Sequence, residues 1–195
     1  MYSCFEYNSS QRLDSGIYNK FKEFINKDYC KQIMNESVKP IPENYHSIIP
    51  YLIVRNAANA IEFYKKAFGA EEHFRMQGPD GKSIMHAELK IGDSVFMLSE
   101  ESPQMDTHSP ESIGGSPVGM YLYVKDVDSV FDEAISAGAT MLYPVKDQFY
   151  GDRSGHLKDP FGHIWSVATH KKDLSPEELR KAGEAFFKEM SKSKS

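Results

Sequence analysis

An internal duplication constrains the fold of this chain more than any other feature of its sequence. Residues 119–170 repeat residues 49–100 at a separation of 70 positions. The identical pairs are Tyr51/Tyr121, Leu52/Leu122, Val54/Val124, Ala67/Ala137, Gly81/Gly151, His86/His156 and Gly92/Gly162. Because repeated units of this size bury their faces against one another, we expect any cavity to lie between like strands of the two copies or of two chains.

Each copy has the same succession of hydrophobic patterns. Apolar runs bounded by turn residues predict strands, and the i, i+3, i+4 spacing that ends at Gly69 or Gly138 predicts one helix per copy. The order strand, helix, strand, strand, strand is predicted at 48–54, 57–68, 72–76, 83–91 and 94–99, and again at 120–124, 127–137, 141–145, 153–158 and 163–169. The sequence therefore predicts an α+β domain over 46–172, with β-α-β-β-β modules at 46–100 and 118–172.

Segments of different character flank this domain. Residues 1–45 are polar, and apolar residues at helical spacing predict an amphipathic helix near 16–34 before a proline-containing linker. Residues 173–195 begin with a capping box that joins Ser175 to Glu178. We therefore predict added helices at both ends of the chain and a frayed C-terminal tail.

Composition and charge exclude several classes of protein. The chain has 195 residues, of which 40% are hydrophobic, and its net charge of −5 comes without a basic stripe. A net negative charge without a basic surface stripe does not indicate a nucleic-acid partner. Neither an apolar run of about 20 residues nor a secretory signal occurs, so we expect a cytoplasmic protein without a membrane partner. The two cysteines, Cys4 and Cys30, lie outside the repeat and are expected to be reduced thiols.

Three stretches carry a resemblance to a known family. They read PYLIVRNAANAIEFYKKAFGAEE, MHAELKIGDSVFML and DQFYGDRSGHLKDPFGHIWSVATHKKDLSPEEL. Together they resemble the vicinal-oxygen-chelate superfamily of glyoxalases, bleomycin resistance proteins and dioxygenases, and within it the PhnB-like proteins, over roughly residues 46–180. The resemblance implies a curved mixed sheet around a cleft and a homodimer. It also implies either a metal-dependent enzyme or a metal-free protein that sequesters a small molecule.

Strand alternation predicts which side chains line the cleft. In the third strand, Met85, Ala87, Leu89 and Ile91 form an apolar face suited to the helix, so Ile84, His86 and Glu88 should face the cleft. The same alternation predicts that Ile53 and Ala168 also face the cleft. The predicted ligand-binding residues are Tyr51, His86, Glu88, Tyr121, Tyr123, His156 and Ser166. Such a cleft suits a small molecule that is partly aromatic or polar.

The resemblance also locates the positions at which metal-using relatives carry their ligands. They correspond to Ile49 and Gly119 on the first strands of the modules and to Phe96 and Ser166 on the fourth. None of these residues is a good ligand for a divalent ion. We therefore expect no cofactor. The alternative is a displaced metal site built from His86, Glu88 and His156, and the simpler interpretation is that both histidines are hydrogen-bonded strand residues.

Three classes of function follow from these alternatives. The first is a metal-free protein that binds a small molecule in the cleft. The second is an enzyme, either a metal-dependent lyase, isomerase or dioxygenase with a displaced site, or a metal-free epimerase-like catalyst in which His86 and Glu88 act as acid and base. The third is an interaction module whose N-terminal helix recruits a partner.

Five further residues have functional and structural interpretations. The pair Asp152-Arg153 either orients a ligand anion or braces a loop. Trp165 has the parity of the helix-packing face and is predicted to lie in the core. His163 in a turn and His170 at a strand end are predicted to be exposed.

Overall fold

The structure of the protein, a computed structural model, describes residues 38–192. The chain divides into two compact units, residues 1–43 and 44–195. Of the first unit, the described residues 38–43 contain neither helix nor strand. The helix predicted near 16–34 lies outside the described residues. All the predicted cleft residues belong to the second unit.

The second unit contains two modules of the same topology. The first consists of β1 (Tyr51–Val54), α1 (Ala57–Phe68), β2 (Glu71–Gln77), β3 (Ile84–Ile91) and β4 (Ser94–Glu100). A short helix, α2 (Pro110–Ile113), lies in the linker. The second module consists of β5 (Gly119–Tyr123), α3 (Val127–Ser136), β6 (Thr140–Asp147), β7 (Asp152–Lys158) and β8 (Ile164–His170). The predicted β-α-β-β-β order of both modules is confirmed, while α2 was not predicted.

Each module forms its own mixed sheet of four strands. The strand orders are β1-β4-β3-β2 and β5-β8-β7-β6. The first strand of each module pairs in parallel with the fourth, and the remaining pairs are antiparallel. Each module thus contributes its own mixed sheet, and the predicted α+β fold of two tandem modules is confirmed. Among residues 38–192, β1 and β5 are the end strands of their sheets, and each has one edge that no other strand pairs.

Helix α1 has its predicted bounds, whereas α3 begins at the predicted Val127 and ends one residue early, at Ser136. Asn56 caps α1 through its side-chain oxygen, which accepts from the Asn59 amide at 3.3 Å, and Asp126 caps α3 in the same way. Gly69 ends α1 with φ 64°, a left-handed conformation that glycine adopts without strain. The helices bury one face each in a common core with the sheets.

An aromatic cluster with a buried carboxylate at its centre joins the two modules. Tyr64 of the first module lies 5.6 Å, centroid to centroid, from Trp165 of the second. Asp159, 2% exposed, accepts hydrogen bonds from the Tyr64 hydroxyl at 2.8 Å and from Trp165 Nε1 at 2.9 Å. The predicted core position of Trp165 is therefore confirmed.

The separation between equivalent residues of the two modules is not constant. Tyr51 pairs with Met97, which pairs with Glu88, whereas Tyr121 pairs with Ser166, which pairs with His156. The difference in residue number between equivalent positions is therefore 70 on the first strands, 69 on the fourth strands and 68 on the third strands. As a result, the structural counterpart of His156 is Glu88, and that of His86 is Ser154.

A β-bulge changes the parity at the start of β3. Met76 pairs with His86 and Gln77 pairs with Ile84, which leaves Met85 as the extra residue. Ile84 is consequently buried at 1% exposure, and Met85 is 48% exposed. The prediction that Ile84 faces the cleft while Met85 faces the helix is therefore wrong.

The predicted C-terminal helix is confirmed as α4 (Pro176–Lys192). In its capping box the Ser175 amide donates to Glu178 Oε2 at 2.8 Å, and the Glu178 amide donates to Ser175 Oγ at 3.3 Å. The helix contacts the β6–β7 loop through Phe186, whose ring stacks on Phe149 at 4.9 Å. Within residues 38–192, no helix is long and apolar enough to cross a membrane.

Candidate functional site

In each module, the sheet face opposite the helix, here called the cleft face, carries the predicted site residues. On β1, exposed Tyr51 and half-buried Ile53 alternate with buried Leu52 and Val54. On β5, Tyr121 and Tyr123 are 47% and 60% exposed and alternate with half-buried Met120 and Leu122. The alternation predicted for the two first strands is therefore present, and it puts aromatic side chains on both cleft faces.

The first module brings Tyr51, His86 and Glu88 together in a chain of hydrogen bonds. The Tyr51 hydroxyl lies 3.0 Å from His86 Nδ1, and His86 Nε2 lies 3.3 Å from Glu88 Oε1. The Tyr45 hydroxyl donates to the other oxygen of Glu88. The side chains of His86 and Glu88 are 21% and 20% exposed, so both remain open to a ligand. We refer to these four residues as the Glu88 chain.

The electrostatics of the Glu88 chain favour an ionised carboxylate. The hydrogen bond from Tyr45 is the main cause of the lowered pKa of Glu88. His86 lowers this pKa further, and the two partners together outweigh burial, which acts to raise it. The same bond raises the pKa of Tyr45. With Tyr51 donating to Nδ1, Nε2 carries the proton and donates to Glu88. The chain can therefore present an ionised carboxylate that accepts a hydrogen bond from a ligand.

The second module has a different arrangement around Asp152. This carboxylate, 5% exposed, accepts hydrogen bonds from Tyr121 at 3.3 Å, Tyr123 at 2.9 Å and His170 Nδ1 at 2.7 Å. Burial acts to raise the pKa of Asp152, but the bonds from His170 and the two tyrosines outweigh it, and the pKa is lowered. Burial in turn raises the pKa of Tyr121. Both tyrosines therefore bind Asp152 as protonated donors.

His156 and Ser166 form a third group of hydrogen-bonded side chains on the cleft faces. Ser166 Oγ lies 2.8 Å from His156 Nδ1, and the ring of Tyr143 lies edge-on to the imidazole at 5.5 Å. The structure thus brings each predicted residue next to another one, but in two separate modules. Ala168, also predicted to face the cleft, is fully buried.

The displaced metal site finds no support in the geometry. Among residues 38–192, no group of three His, Cys, Asp or Glu side chains is placed to hold a metal ion. The assignment of Phe96 to a cleft position is wrong, because Phe96 is 6% exposed and packs edge-on against Tyr64. Met97 takes the cleft position on β4 instead, since the offset between the modules falls by one residue at this strand.

Asp152 and Arg153 do not act as a pair. Arg153 braces the second module through Asp128 at 2.6 Å and Asp147 at 3.4 Å, which supports the bracing interpretation. The predicted exposure of His170 is confirmed at 51% of its side chain. That of His163 is wrong, because His163 is only 7% exposed.

For two residues of the site, Asp152 and Tyr45, the position on the cleft face was not predicted. Asp152 shares the strand parity of Ser154 and His156, so alternation along β7 was a usable signal for its position on the cleft face. Tyr45 lies before β1 in a segment without periodic hydrophobicity. Nothing in the local pattern predicts that its hydroxyl reaches Glu88.

The Asp152–His170 contact predicts a pH dependence of stability. Bonds with Asp152 and Asp173 raise the pKa of His170, so this contribution is present below the ordinary value of about 6.5 and is lost as pH rises through the raised pKa. The contribution of Asp152, whose pKa is lowered, is present above about 3.9 and is lost as pH falls through the lowered pKa.

We therefore expect the melting temperature of His170→Gln to fall furthest below that of the natural protein between about pH 4 and 6.5. The difference should shrink as the pH becomes alkaline, and thermal unfolding across a buffer series measures it. An equal difference at acidic and alkaline pH contradicts this assignment of the charges.

Comparison with known proteins gives a family and several relatives of the same fold. Residues 45–167 match the model of the Glyoxalase/Bleomycin resistance protein/Dioxygenase superfamily. The uncharacterized protein Mb0911c of Mycobacterium bovis is 44% identical over 139 residues, which cover 70% of this chain and 91% of that protein.

Two solved structures extend the comparison. The Arabidopsis thaliana gene product At5g48480 has a TM-score of 0.51 and 27% identity, over 64% of this chain and 98% of that one. A PhnB protein from Bacillus cereus has a TM-score of 0.51 and 18% identity, over 64% of this chain and 99% of that one. At 18% identity, the second likeness concerns the fold alone.

Proposed function

The chain belongs to the glyoxalase/bleomycin resistance protein/dioxygenase superfamily, and we propose that its cleft binds a small, partly aromatic molecule without a metal ion. Because this fold serves both enzymes and binding proteins, the proposal has to rest on side chains. The narrower likeness to PhnB-like proteins and a cytoplasmic location are parts of the same proposal. The sequence motifs of the second module support the former.

The Glu88 chain is the observation that carries the proposal. Glu88 is ionised, one-fifth exposed and held in place from two sides, by Tyr45 and by His86. A fixed carboxylate of this kind is a strong acceptor for a ligand N–H or a cationic group. Phe74, 50% exposed, lies 6.1 Å from the His86 ring and extends the surface with an aromatic face. A planar ligand with amino groups fits both features.

The competing function is a metal-dependent lyase, isomerase or dioxygenase with a displaced site. It requires three or four donor atoms to converge on one ion. His86 and Glu88 are two such groups, but each is engaged in the Glu88 chain. His156, the third member of that alternative, instead bonds Ser166. This distribution of contacts favours the metal-free proposal.

Titration with proflavine, a planar fluorescent cation with two amino groups, tests the proposal. We expect saturable binding and an affinity roughly tenfold lower in Glu88→Gln, because a hydrogen bond to a charged acceptor is replaced by one to a neutral acceptor. Glu62→Gln on α1 is the matched control, since Glu62 is an exposed glutamate on the helix side.

Equal affinities of the natural protein and Glu88→Gln would contradict the role of Glu88. Elemental analysis of the same protein, purified without chelators, addresses the competing function. A stoichiometric equivalent of zinc, nickel, manganese or iron that is lost in His86→Ala would overturn the metal-free proposal.

We also propose that two copies of the chain associate. Large apolar side chains are at least 46% exposed on β2, β6 and α4, a degree of exposure that a second copy would reduce. They are Phe74, Met76, Met141, Tyr143 and Phe187. Light scattering at micromolar concentration should therefore give the mass of a homodimer, and the mass of a single chain would contradict this.

A further inference from the structure

The edges of β1 and β5 define a seam between the two modules. In the part of the chain that the structure describes, each strand has a paired strand on one side only, β4 for β1 and β8 for β5. The carbonyl groups of Pro50 and Val54 accept from Met97 and Glu101, both at 2.9 Å, on the β4 side. Carbonyl groups alternate along a strand, so that of Ile53 points to the opposite, unpaired edge. There it accepts from His163 Nε2 at 3.1 Å, and this bond connects the modules.

A cavity of about 340 Å³ lies at this seam, bounded by β1, the linker and β5. We call it the seam cavity. Its wall is mainly apolar and contains no lysine, arginine, aspartate or glutamate. The side chains of its wall include Ile113, Val118, Met120, His108 and His163. The volume lies at the lower end of the range typical for small-molecule sites, and the apolar wall with few polar groups matches their usual composition.

His163 supplies the seam cavity with an acceptor. His163 is 7% exposed, and Nε2 must carry a proton because the Ile53 carbonyl can only accept. In the neutral ring Nδ1 is then an acceptor, and within residues 38–192 it has no hydrogen-bond partner. Among these residues no fully buried side-chain nitrogen or oxygen lacks a partner, so Nδ1 keeps some solvent access, and a ligand in the seam cavity can donate to it.

We propose that the seam cavity is a second binding site, for a small neutral molecule with an aromatic or aliphatic ring and one N–H or O–H group. The ring packs against Ile113, Val118 and Met120, and the N–H or O–H donates to His163 Nδ1. A charged ligand is disfavoured because the wall carries no opposite charge to offset its desolvation. Of the residues predicted to bind a ligand in the cleft, only Tyr51 also contributes to this wall.

Indole, a planar molecule with a single N–H donor, is a suitable probe. Nitrogen-detected NMR of the imidazole rings should show His163 with a proton on Nε2 and none on Nδ1, and the Nδ1 resonance should shift saturably as indole is added. The isosteric 1-methylindole lacks the donor. Its affinity should be roughly tenfold lower, which corresponds to the loss of one hydrogen bond.

Two variants locate the probe. Ile113→Trp places a large ring at the mouth of the seam cavity, where Ile113 is 58% exposed, and should weaken indole binding at least tenfold without unfolding the protein. Met105→Trp is the matched control, because Met105 is 71% exposed and lies outside the wall. The proposal is overturned if indole produces no saturable shift, if 1-methylindole binds equally well, or if Ile113→Trp leaves the affinity unchanged.

Discussion

Replacing Asp159 by alanine should lower the free energy of unfolding by about 4 kcal/mol and the melting temperature by roughly 10 °C. Asp159 is 2% exposed and belongs to the Asp-Pro-Phe-Gly turn between β7 and β8. One carboxylate oxygen accepts from the backbone amides of Phe161 and His163, both at 2.9 Å. These bonds shape the turn.

The second oxygen of Asp159 extends this role to the junction of the modules. It accepts from Tyr64 and Trp165, whose side chains come from α1 of the first module and β8 of the second. Alanine would leave both of these donors unpaired in the core, and each unsatisfied group costs about 1–3 kcal/mol. The free energy of unfolding should therefore fall several times more than it does for an ordinary surface substitution.

Urea unfolding followed by tryptophan fluorescence measures the effect directly, because Trp165 is the only tryptophan of the chain. Asp132→Ala is the matched control, since Asp132 is exposed on α3 and should change stability by less than about 0.5 kcal/mol. Asp159→Asn, which keeps an acceptor oxygen, should fall between the two. A loss below about 1 kcal/mol for Asp159→Ala would show that the junction does not depend on this carboxylate.

The order of elements was predictable because each module repeats the same local signals. Helix α1 has the predicted bounds, since Asn56 caps its start and Gly69 ends it, and both signals are local in sequence. The role of Asp159 was not predictable in this way. Its turn motif indicates only a turn, whereas its partner Tyr64 is separated from it by 95 residues.

The cleft faces were predictable as long as strand alternation held. It located Tyr51, Tyr121 and Tyr123, but it failed at the bulge around Met85, where one extra residue reverses the parity. The assumption of a constant offset between the modules failed as well. It equated His86 with His156 and Phe96 with Ser166, although the strand pairings give different partners.

The corrected register explains a difference in core composition between the two modules. Ala87 and Gly155 occupy equivalent positions in the two modules. Ala87 comes one residue before Glu88, the partner of Met97, and Gly155 comes one residue before His156, the partner of Ser166. On the helices, Ile61 and Phe131 each lie five residues after the capping residue. The second module thus combines a larger helix residue with a smaller strand residue, which keeps the core volume similar.

Adding a single methyl group at Gly155 should therefore cost about 2–3 kcal/mol of stability. A Cβ atom there would lie 2.7 Å from Phe131 Cε2 and 2.9 Å from Val145 Cγ2, closer than carbon atoms approach without displacement. The residue is buried in β7, so neither ring nor strand can move into solvent. Gly119→Ala is the matched control, because its added Cβ would meet no atom closer than 3.8 Å.

The pair found in the first module should relieve this overpacking. Phe131→Ile removes the ring atoms that the new methyl group would strike, so Gly155→Ala combined with Phe131→Ile should be more stable than the sum of the single losses predicts. A double-mutant cycle from urea unfolding should give a favourable coupling of at least about 1 kcal/mol. Strictly additive losses would mean that Phe131 does not confine residue 155, and that glycine is present there for a reason other than core volume.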